Sequence, residues 1–151
     1  MARSIPTEQE LAAIVGHEFP GGVYAIAHWE NVLLSSCTGV EPLPGGIVHP
    51  VALFHVPILG ARTSIAEMFA LGKAASDFSI GIESYDWEMF APLREDERYA
   101  VSGTIVSAER RADPQGAAFD RIQFQFEIAH PDKSLAARTT ITWHYRRGRD
   151  Q

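Results

Sequence analysis

Residues 45 to 75, GGIVHPVALFHVPILGARTSIAEMFALGKAA, limit the possible folds of this chain more than any other segment. The stretch is long, apolar and helix-prone, and β-prone sequence follows it. Pro57 should kink or end a helix because it lacks an N–H and its ring crowds the preceding turn, and Gly60 has a similar effect. The sequence therefore predicts a central helical region in two pieces, near 50–59 and 64–75.

Shorter helices are expected before this region, and strands after it. Thr7 and Glu10 form the pattern of a capping box, which predicts a helix near 7–15. Apolar residues at helical spacing predict another helix near 28–37. After residue 76 the apolar residues alternate with a period of two, which is typical of half-buried strands. These alternating segments lie near 80–84, 99–106, 122–128 and 140–145. Helices followed by strands with short turns predict an α+β domain with an antiparallel sheet.

Length and charge restrict the number of domains and the kind of partner. With 151 residues, the chain is expected to form one domain, spanning residues 1–151. Hydrophobic residues make up 46% and charged residues 21%, as in ordinary globular proteins. The formal net charge is −6, which argues against nucleic acid or an anionic membrane as a partner.

The composition also suggests a compartment and argues against a metal site. Cys37 is the sole cysteine, so no internal disulfide can form, as expected for a reducing cytoplasm. The N-terminus lacks the pattern of a signal peptide, and no segment has the roughly 20 apolar residues of a membrane span. The histidines lack the spacing of metal ligands, so we expect neither a metal nor another cofactor.

Four short sequence motifs, in this order and spacing, resemble those of the MaoC-like acyl-thioester hydratase/dehydratase family. They are HWENVLLSSCTG at 28–39, IVHP at 47–50, FAPLREDE at 90–97 and RTTIT at 138–142. The resemblance implies a hot-dog fold, in which an antiparallel sheet wraps around a central helix and the helices are mostly N-terminal. It also implies a homodimer, or a heterodimer with another hot-dog protein, that binds an acyl-CoA or acyl-carrier-protein thioester between the two domains.

The chain departs from this family where the family has its catalytic dyad. The family pattern is G-D-x-N-P-x-H, but here Val40 stands at the Asp position and Pro44 at the His position. Pro50 replaces the glycine whose N–H binds the thioester oxygen in this family, and proline has no N–H to donate. The chain therefore resembles the half of two-copy members that lacks the dyad.

Hydration of an unsaturated thioester needs an acid–base pair and donors to the carbonyl oxygen, and several residues are candidates for these roles. His49 is the predicted acid–base residue, although it could instead be a structural cap. Glu41 is the predicted displaced carboxylate, although a solvated loop glutamate is an alternative. The predicted ligand-binding residues are Gly46, Val51, Ala52, His55 and Cys37. A core or interface histidine is the alternative for His55, and a small buried residue is the alternative for Cys37. The arginines that could contact CoA phosphates are Arg94, Arg110, Arg111, Arg146 and Arg147. The last two belong to a basic C-terminal end, residues 144–149, which is otherwise expected to be a solvated tail.

Three functions follow from these residues. The first is an enoyl-thioester hydratase or dehydratase with a non-standard site. The second is a non-catalytic hot-dog subunit or thioester-binding module that pairs with an active partner. The third is a thioesterase, which would require a carboxylate on the central helix, and Glu67 is the acidic residue there. A cone-shaped fold of the nuclear-transport-factor type is the alternative architecture.

Overall fold

A computed structural model describes residues 4–148 of the chain. These residues form four α-helices and five strands, with three short 3-10 helices at Pro44–Gly46, Pro50–Phe54 and Asp77–Ser79. The α-helices are α1 (Glu8–Ala13), α2 (His28–Cys37), α3 (Val56–Gly60) and α4 (Ile65–Leu71). The strands are β1 (Gly22–Ala25), β2 (Ile80–Met89), β3 (Arg98–Ala112), β4 (Ala118–Ala129) and β5 (Leu135–Arg146).

The two N-terminal helices lie where the sequence predicts them. Thr7 begins α1 with a complete capping box, in which its side chain accepts from the Glu10 N–H and Glu10 accepts from the Thr7 N–H. Helix α2 spans the predicted range, and its inward face buries Glu30, Asn31 and Ser35. Burial of polar side chains on this face is the first structural sign of a site.

The central helical region differs from the prediction because it comes in three pieces. A 3-10 helix at Pro50–Phe54, called the entry helix below, is followed by α3 and α4. The chain leaves helical geometry at His55, whose φ of −127° separates the entry helix from α3. Pro57 has no N–H to continue the hydrogen bonding of the preceding turn, so the entry helix cannot run through it, and α3 begins at Val56 instead. The second predicted piece is also shorter than expected, since α4 ends at Leu71.

All five strands pair antiparallel in the order β1-β3-β4-β5-β2, and the helical pieces cover one face of the sheet. On β4, the alternating residues Ile122, Phe124, Phe126 and Ile128 are fully buried, whereas their neighbours are partly exposed. Helix α3 lies very close to β3, because a Cβ added to Gly60 would stand 2.6 Å from Val101 Cγ2. The predicted α+β arrangement of N-terminal helices against an antiparallel sheet is confirmed.

The end of β5 and the residue after it are not the solvated basic tail that the sequence suggests. Arg147 is buried, and its guanidinium donates to the carbonyls of Gly72 and Lys73 at 2.5 and 2.7 Å. The Tyr145 hydroxyl donates to the Met68 carbonyl at 2.7 Å. Residues 145–147 therefore hold the C-terminal end of α4, while Arg149 lies outside the described residues.

Candidate functional site

His49 begins the entry helix and serves as its N-cap. Its Nδ1 accepts the Val51 N–H at 3.1 Å, and its carbonyl accepts the Ala52 N–H at 3.0 Å. The two amides predicted to bind a thioester oxygen are thus already hydrogen-bonded within the chain. Because Nδ1 is an acceptor, the neutral His49 ring carries its proton on Nε2. His49 therefore presents an N–H donor at the helix entry, next to the proline that lacks one.

The buried side chain of Asn31 fixes the loop that leads into the entry helix. Its Oδ1 accepts the His49 N–H at 3.0 Å, and its Nδ2 donates to the Ile47 carbonyl at 3.1 Å. Nδ2 also donates to Glu95 Oε1 at 2.8 Å. One fully buried amide thus satisfies the backbone on either side of the helix entry.

Glu95 supports Asn31 from the loop between β2 and β3. Its carboxylate contacts His28 Nδ1 at 3.0 Å, and its N–H donates to the Gly46 carbonyl at 2.8 Å. The hydrogen bond from Asn31, assisted by His28, lowers the pKa of Glu95 below its ordinary value. Glu95 is therefore ionised at neutral pH and acts as a fixed acceptor, and the predicted ligand residue Gly46 takes part through its backbone.

A second polar cluster lies at the other end of the entry helix. Glu30 Oε1 accepts the Tyr24 hydroxyl at 2.7 Å and contacts His55 Nε2 at 3.2 Å. Adjacent residues of α2 therefore hold the two ends of the entry helix, Asn31 at His49 and Glu30 at His55. Sequence reasoning missed Glu30, Asn31 and Tyr24; the available signal was a polar pair on the apolar face of a predicted helix.

The remaining predicted site residues lie apart from these clusters. Glu41 is exposed in the loop after α2 and makes none of the hydrogen bonds or ion pairs found among residues 4–148. Cys37 is the last residue of α2, and its side chain is exposed rather than buried as the packing alternative requires. Glu67 lies in the first turn of α4, where its N–H donates to Ser64 Oγ and its carboxylate accepts the Thr63 hydroxyl at 2.8 Å.

Two of the five predicted CoA-contacting arginines are engaged inside the protein. Arg147 and Arg110 both pair with the buried Asp120, at 2.6 and 2.8 Å. Arg94 is exposed and donates to the Gly45 carbonyl at 3.3 Å, which places it beside the loop that leads to His49. Arg94 is therefore the predicted arginine with the best position for a ligand at the helix entry.

Cavities of about 670, 580 and 320 Å³ open elsewhere on the described surface, and His49 lines none of these three. Within residues 4–148, no group of three or more histidine, cysteine or acidic side chains is arranged to hold a metal ion. The same residues contain no helix with the length and apolarity required to cross a membrane.

Comparison with solved structures identifies the fold. A chain of the C-terminally truncated HadBC (3R-hydroxyacyl-ACP dehydratase) complex from Mycobacterium tuberculosis matches with a TM-score of 0.63 and 12% identity, over 87% of this chain and 96% of that chain. A chain of the ChsH1–ChsH2 complex from Mycobacterium tuberculosis matches with a TM-score of 0.67 and 9% identity, over 95% and 90% of the two chains. A MaoC-like dehydratase matches with a TM-score of 0.63 and 13% identity, over 89% of this chain and 43% of that protein.

The chain thus has the hot-dog fold, and the structural resemblance to MaoC-like dehydratases expected from the sequence is confirmed. No protein-family model and no curated protein sequence matches the chain. At identities of 9 to 13%, these structural matches show the fold and leave the activity to be argued from the residues of this chain.

Proposed function

We propose that this protein is an acyl-thioester hydratase or dehydratase that acts on a CoA or carrier-protein thioester. The observation that carries the proposal is His49, which presents a donor at the start of the entry helix in a fold shared with dehydratases. In this proposal, the thioester carbonyl lies at the helix entry and Arg94 contacts the phosphates of the carrier group.

In the proposed site, His49 takes over the role of the N–H that Pro50 lacks. Its Nδ1 is held by the Val51 N–H, so the ring is oriented and Nε2–H is available to the thioester oxygen. Loss of one such donor typically reduces turnover by about 10²–10³-fold. His49 is therefore proposed as a donor to the carbonyl rather than as the acid–base residue suggested by the sequence.

A second hot-dog domain is the proposed partner, either another copy of this chain or a different subunit. Strand β2 pairs with β5 along one edge, and none of the described residues pairs with its other edge. Ile82 on this strand is 69% exposed, and Phe54 of the entry helix, which is also exposed, packs on Tyr85 and Trp87 of the same strand. An unpaired edge with exposed apolar side chains favours strand pairing with a partner.

Hydration of crotonyl-CoA by the purified chain tests the proposed activity. We expect turnover in the wild type and a loss of about 10²-fold in His49→Ala, since the variant lacks the Nε2–H donor. A melting temperature close to that of the wild type would show that His49→Ala is folded. Equal turnover in the two proteins would rule out the role given to His49.

The second candidate function is a non-catalytic subunit that pairs with an active hot-dog protein. It is favoured by the occupied amides of Val51 and Ala52 and by the isolated position of Glu41. Its test is the absence of turnover with crotonyl-CoA and longer enoyl-CoAs, combined with co-purification of a second small hot-dog protein. Activity that appears only in the reconstituted pair would identify this function. A cytoplasmic location remains part of the proposal, in keeping with the single cysteine.

A further inference from the structure

Hydration of an enoyl thioester requires a base for water and an acid for the α-carbon, roles that a carboxylate and an imidazole can share. Residues 4–148 contain three such hydrogen-bonded pairs, which lie in different parts of the fold. They are Glu95 with His28, Glu30 with His55, and Glu83 with His144. The other hydrogen bonds and charged neighbours of each carboxylate determine which pair can transfer protons.

Glu83 is a poor base because an arginine neutralises it. Arg121 donates to it through Nε at 2.7 Å and through a second nitrogen at 2.8 Å. The hydrogen bonds from Arg121 and then from His144 lower the pKa of Glu83 to about 2. This carboxylate stays ionised at neutral pH, and its pair with His144 is structural.

Glu95 is also committed to a structural role. It accepts from the buried Asn31, which lowers its pKa, and its partner His28 has a side chain that is 72% exposed. Solvent surrounds the imidazole of this pair, and the carboxylate holds the loop at the helix entry. This pair therefore lacks the dry surroundings that strengthen acid–base chemistry.

Glu30 differs from both carboxylates. Its side chain is only 11% exposed, and among the described residues no lysine or arginine forms an ion pair with it. Oε1 accepts from Tyr24 and His55, whereas Oε2 takes part in none of the hydrogen bonds found among residues 4–148. One carboxylate oxygen is thus fixed, and the other is available to a water molecule.

Tyr24 keeps its proton and orients this carboxylate. Burial, followed by the hydrogen bond to Glu30 and its negative charge, raises the pKa of Tyr24 to about 12. The phenol therefore remains a donor to Oε1 throughout the neutral range. Tyr24 is a positioning residue, and Glu30 and His55 are the groups that can exchange protons.

The imidazole of this pair is open to a ligand beside an apolar surface. The His55 side chain is 37% exposed. Phe54 precedes it, and Leu59 follows one turn later, where its N–H donates to the His55 carbonyl at 3.0 Å; both side chains are exposed. An acyl chain could lie on this surface with its reactive carbons near His55.

We propose that Glu30 and His55 are the acid–base pair for hydration of the enoyl thioester, an inference that rests on the proposed function. Glu30 Oε2 removes a proton from water as the water oxygen bonds to the β-carbon and the double-bond electrons move into the thioester. Protonated His55 then gives its Nδ1 proton to the α-carbon as the carbonyl re-forms, while its Nε2–H stays on Glu30 Oε1. Glu30 Oε2 then releases its proton to solvent and Nδ1 takes one up from solvent, which restores both groups.

Single substitutions in the intact chain test this pair with crotonyl-CoA. Glu30→Gln keeps an acceptor for Tyr24 but removes the base, so we expect kcat to fall by about 10²–10⁴-fold with KM within about twofold. We expect His55→Gln to lower kcat over the same range. The matched control is His144→Gln, which breaks the pair on the opposite face of the sheet and should leave kcat unchanged.

Tyr24→Phe provides a readout that loss of packing alone would not give. The phenol O–H donates to Glu30 Oε1 and favours the charged form of this carboxylate, so its removal should weaken the base without removing it. We expect the acid limb of the kcat profile to move to higher pH in Tyr24→Phe. An unmoved limb would rule out the positioning role of Tyr24.

The possible outcomes separate this inference from the proposed function. Turnover in the wild type that survives in Glu30→Gln and His55→Gln overturns the pair and leaves the hydratase proposal standing. Absence of turnover in the wild type, both alone and with a hot-dog partner, overturns both proposals. Loss of kcat in the two variants and in the His144→Gln control would show a general effect on the fold, and would also overturn the pair.

Discussion

Asp120 is a fully buried carboxylate that two arginines neutralise. Arg147 donates to its Oδ2 at 2.6 Å, and Arg110 donates to Oδ1 at 2.8 Å. Arg147 reaches further, to carbonyls at the end of α4, so this ion cluster connects β3, β4, the residue after β5 and a helix. A buried charge that loses its partner destabilises the folded state strongly.

Arg147→Ala should lower the free energy of unfolding by about 3–5 kcal/mol, since it leaves Asp120 with one partner and frees two buried carbonyls. The neighbouring Arg146→Ala is the control, because Arg146 is exposed, and its effect should stay within about 0.5 kcal/mol. Urea denaturation measures both values. Equal effects of the two substitutions would contradict the stabilising role given to the ion cluster of Arg147 and Asp120.

Glu83 links stability to pH. Its pKa of about 2 lies below the ordinary value of 4.5, so its contribution is present above about pH 4.5 and is lost as the pH falls towards 2. Glu83→Gln should therefore be less stable than the wild type at neutral pH, and the difference should shrink on acidification. Urea unfolding at a series of pH values measures this difference. A stability difference between the two proteins that grows as the pH falls would contradict the stabilising role given to ionised Glu83.

At the scale of elements, the entry helix depends on α2 for its position. Asn31 and Glu30 are adjacent in sequence, yet they hold opposite ends of the five-residue entry helix. A five-residue 3-10 helix has little stability of its own, so these side chains fix its geometry. The predicted site residues His49, Val51 and Ala52 are consequently held by α2 rather than by the loop after it.

Asn31→Ala should remove this support. The substitution leaves the His49 N–H and the Ile47 carbonyl without their partner, at a cost of about 1–3 kcal/mol for each buried group left unpaired. Hydrogen exchange should show faster exchange of the His49 amide in the variant. Ser36→Ala, at an exposed position of the same helix, is the control and should leave the His49 amide unchanged. Slow exchange of His49 in Asn31→Ala would contradict the role of Asn31.

At the scale of the whole molecule, the unpaired edge of β2 is the proposed contact with a second hot-dog domain. Ile82→Glu places a charge on this edge at a side chain that already faces solvent, so the folded monomer should tolerate it. Light scattering should then show a dimer for the wild type and a monomer for the variant. Val106→Glu, another exposed apolar position, is the control and should remain dimeric. A wild type that is monomeric at high concentration and without a co-purified partner would contradict this interface.

Sequence alone predicts the four long strands, though not their full length, because burial of one sheet face produces the alternation seen from Ile122 to Ile128. It also predicts the range of α2, but it does not predict which polar residues of that helix turn inward. The Glu30–His55 and Asn31–His49 contacts join residues 25 and 18 positions apart, and no local pattern specifies such pairings. Arg147 illustrates the same limit, since a basic end resembles a solvated tail until its buried partner Asp120 is located.

Equilibrium binding of butyryl-CoA, measured by calorimetry beside free CoA, tests whether this protein handles an acyl thioester at all. Butyryl-CoA has no double bond to hydrate, so binding is read independently of catalysis and covers both the catalytic and the subunit proposals. We predict that butyryl-CoA binds more tightly than CoA and that His49→Ala weakens the difference. Equal affinity for butyryl-CoA and CoA, or no binding of either by the chain and its hot-dog partner, would contradict a thioester site at the entry helix.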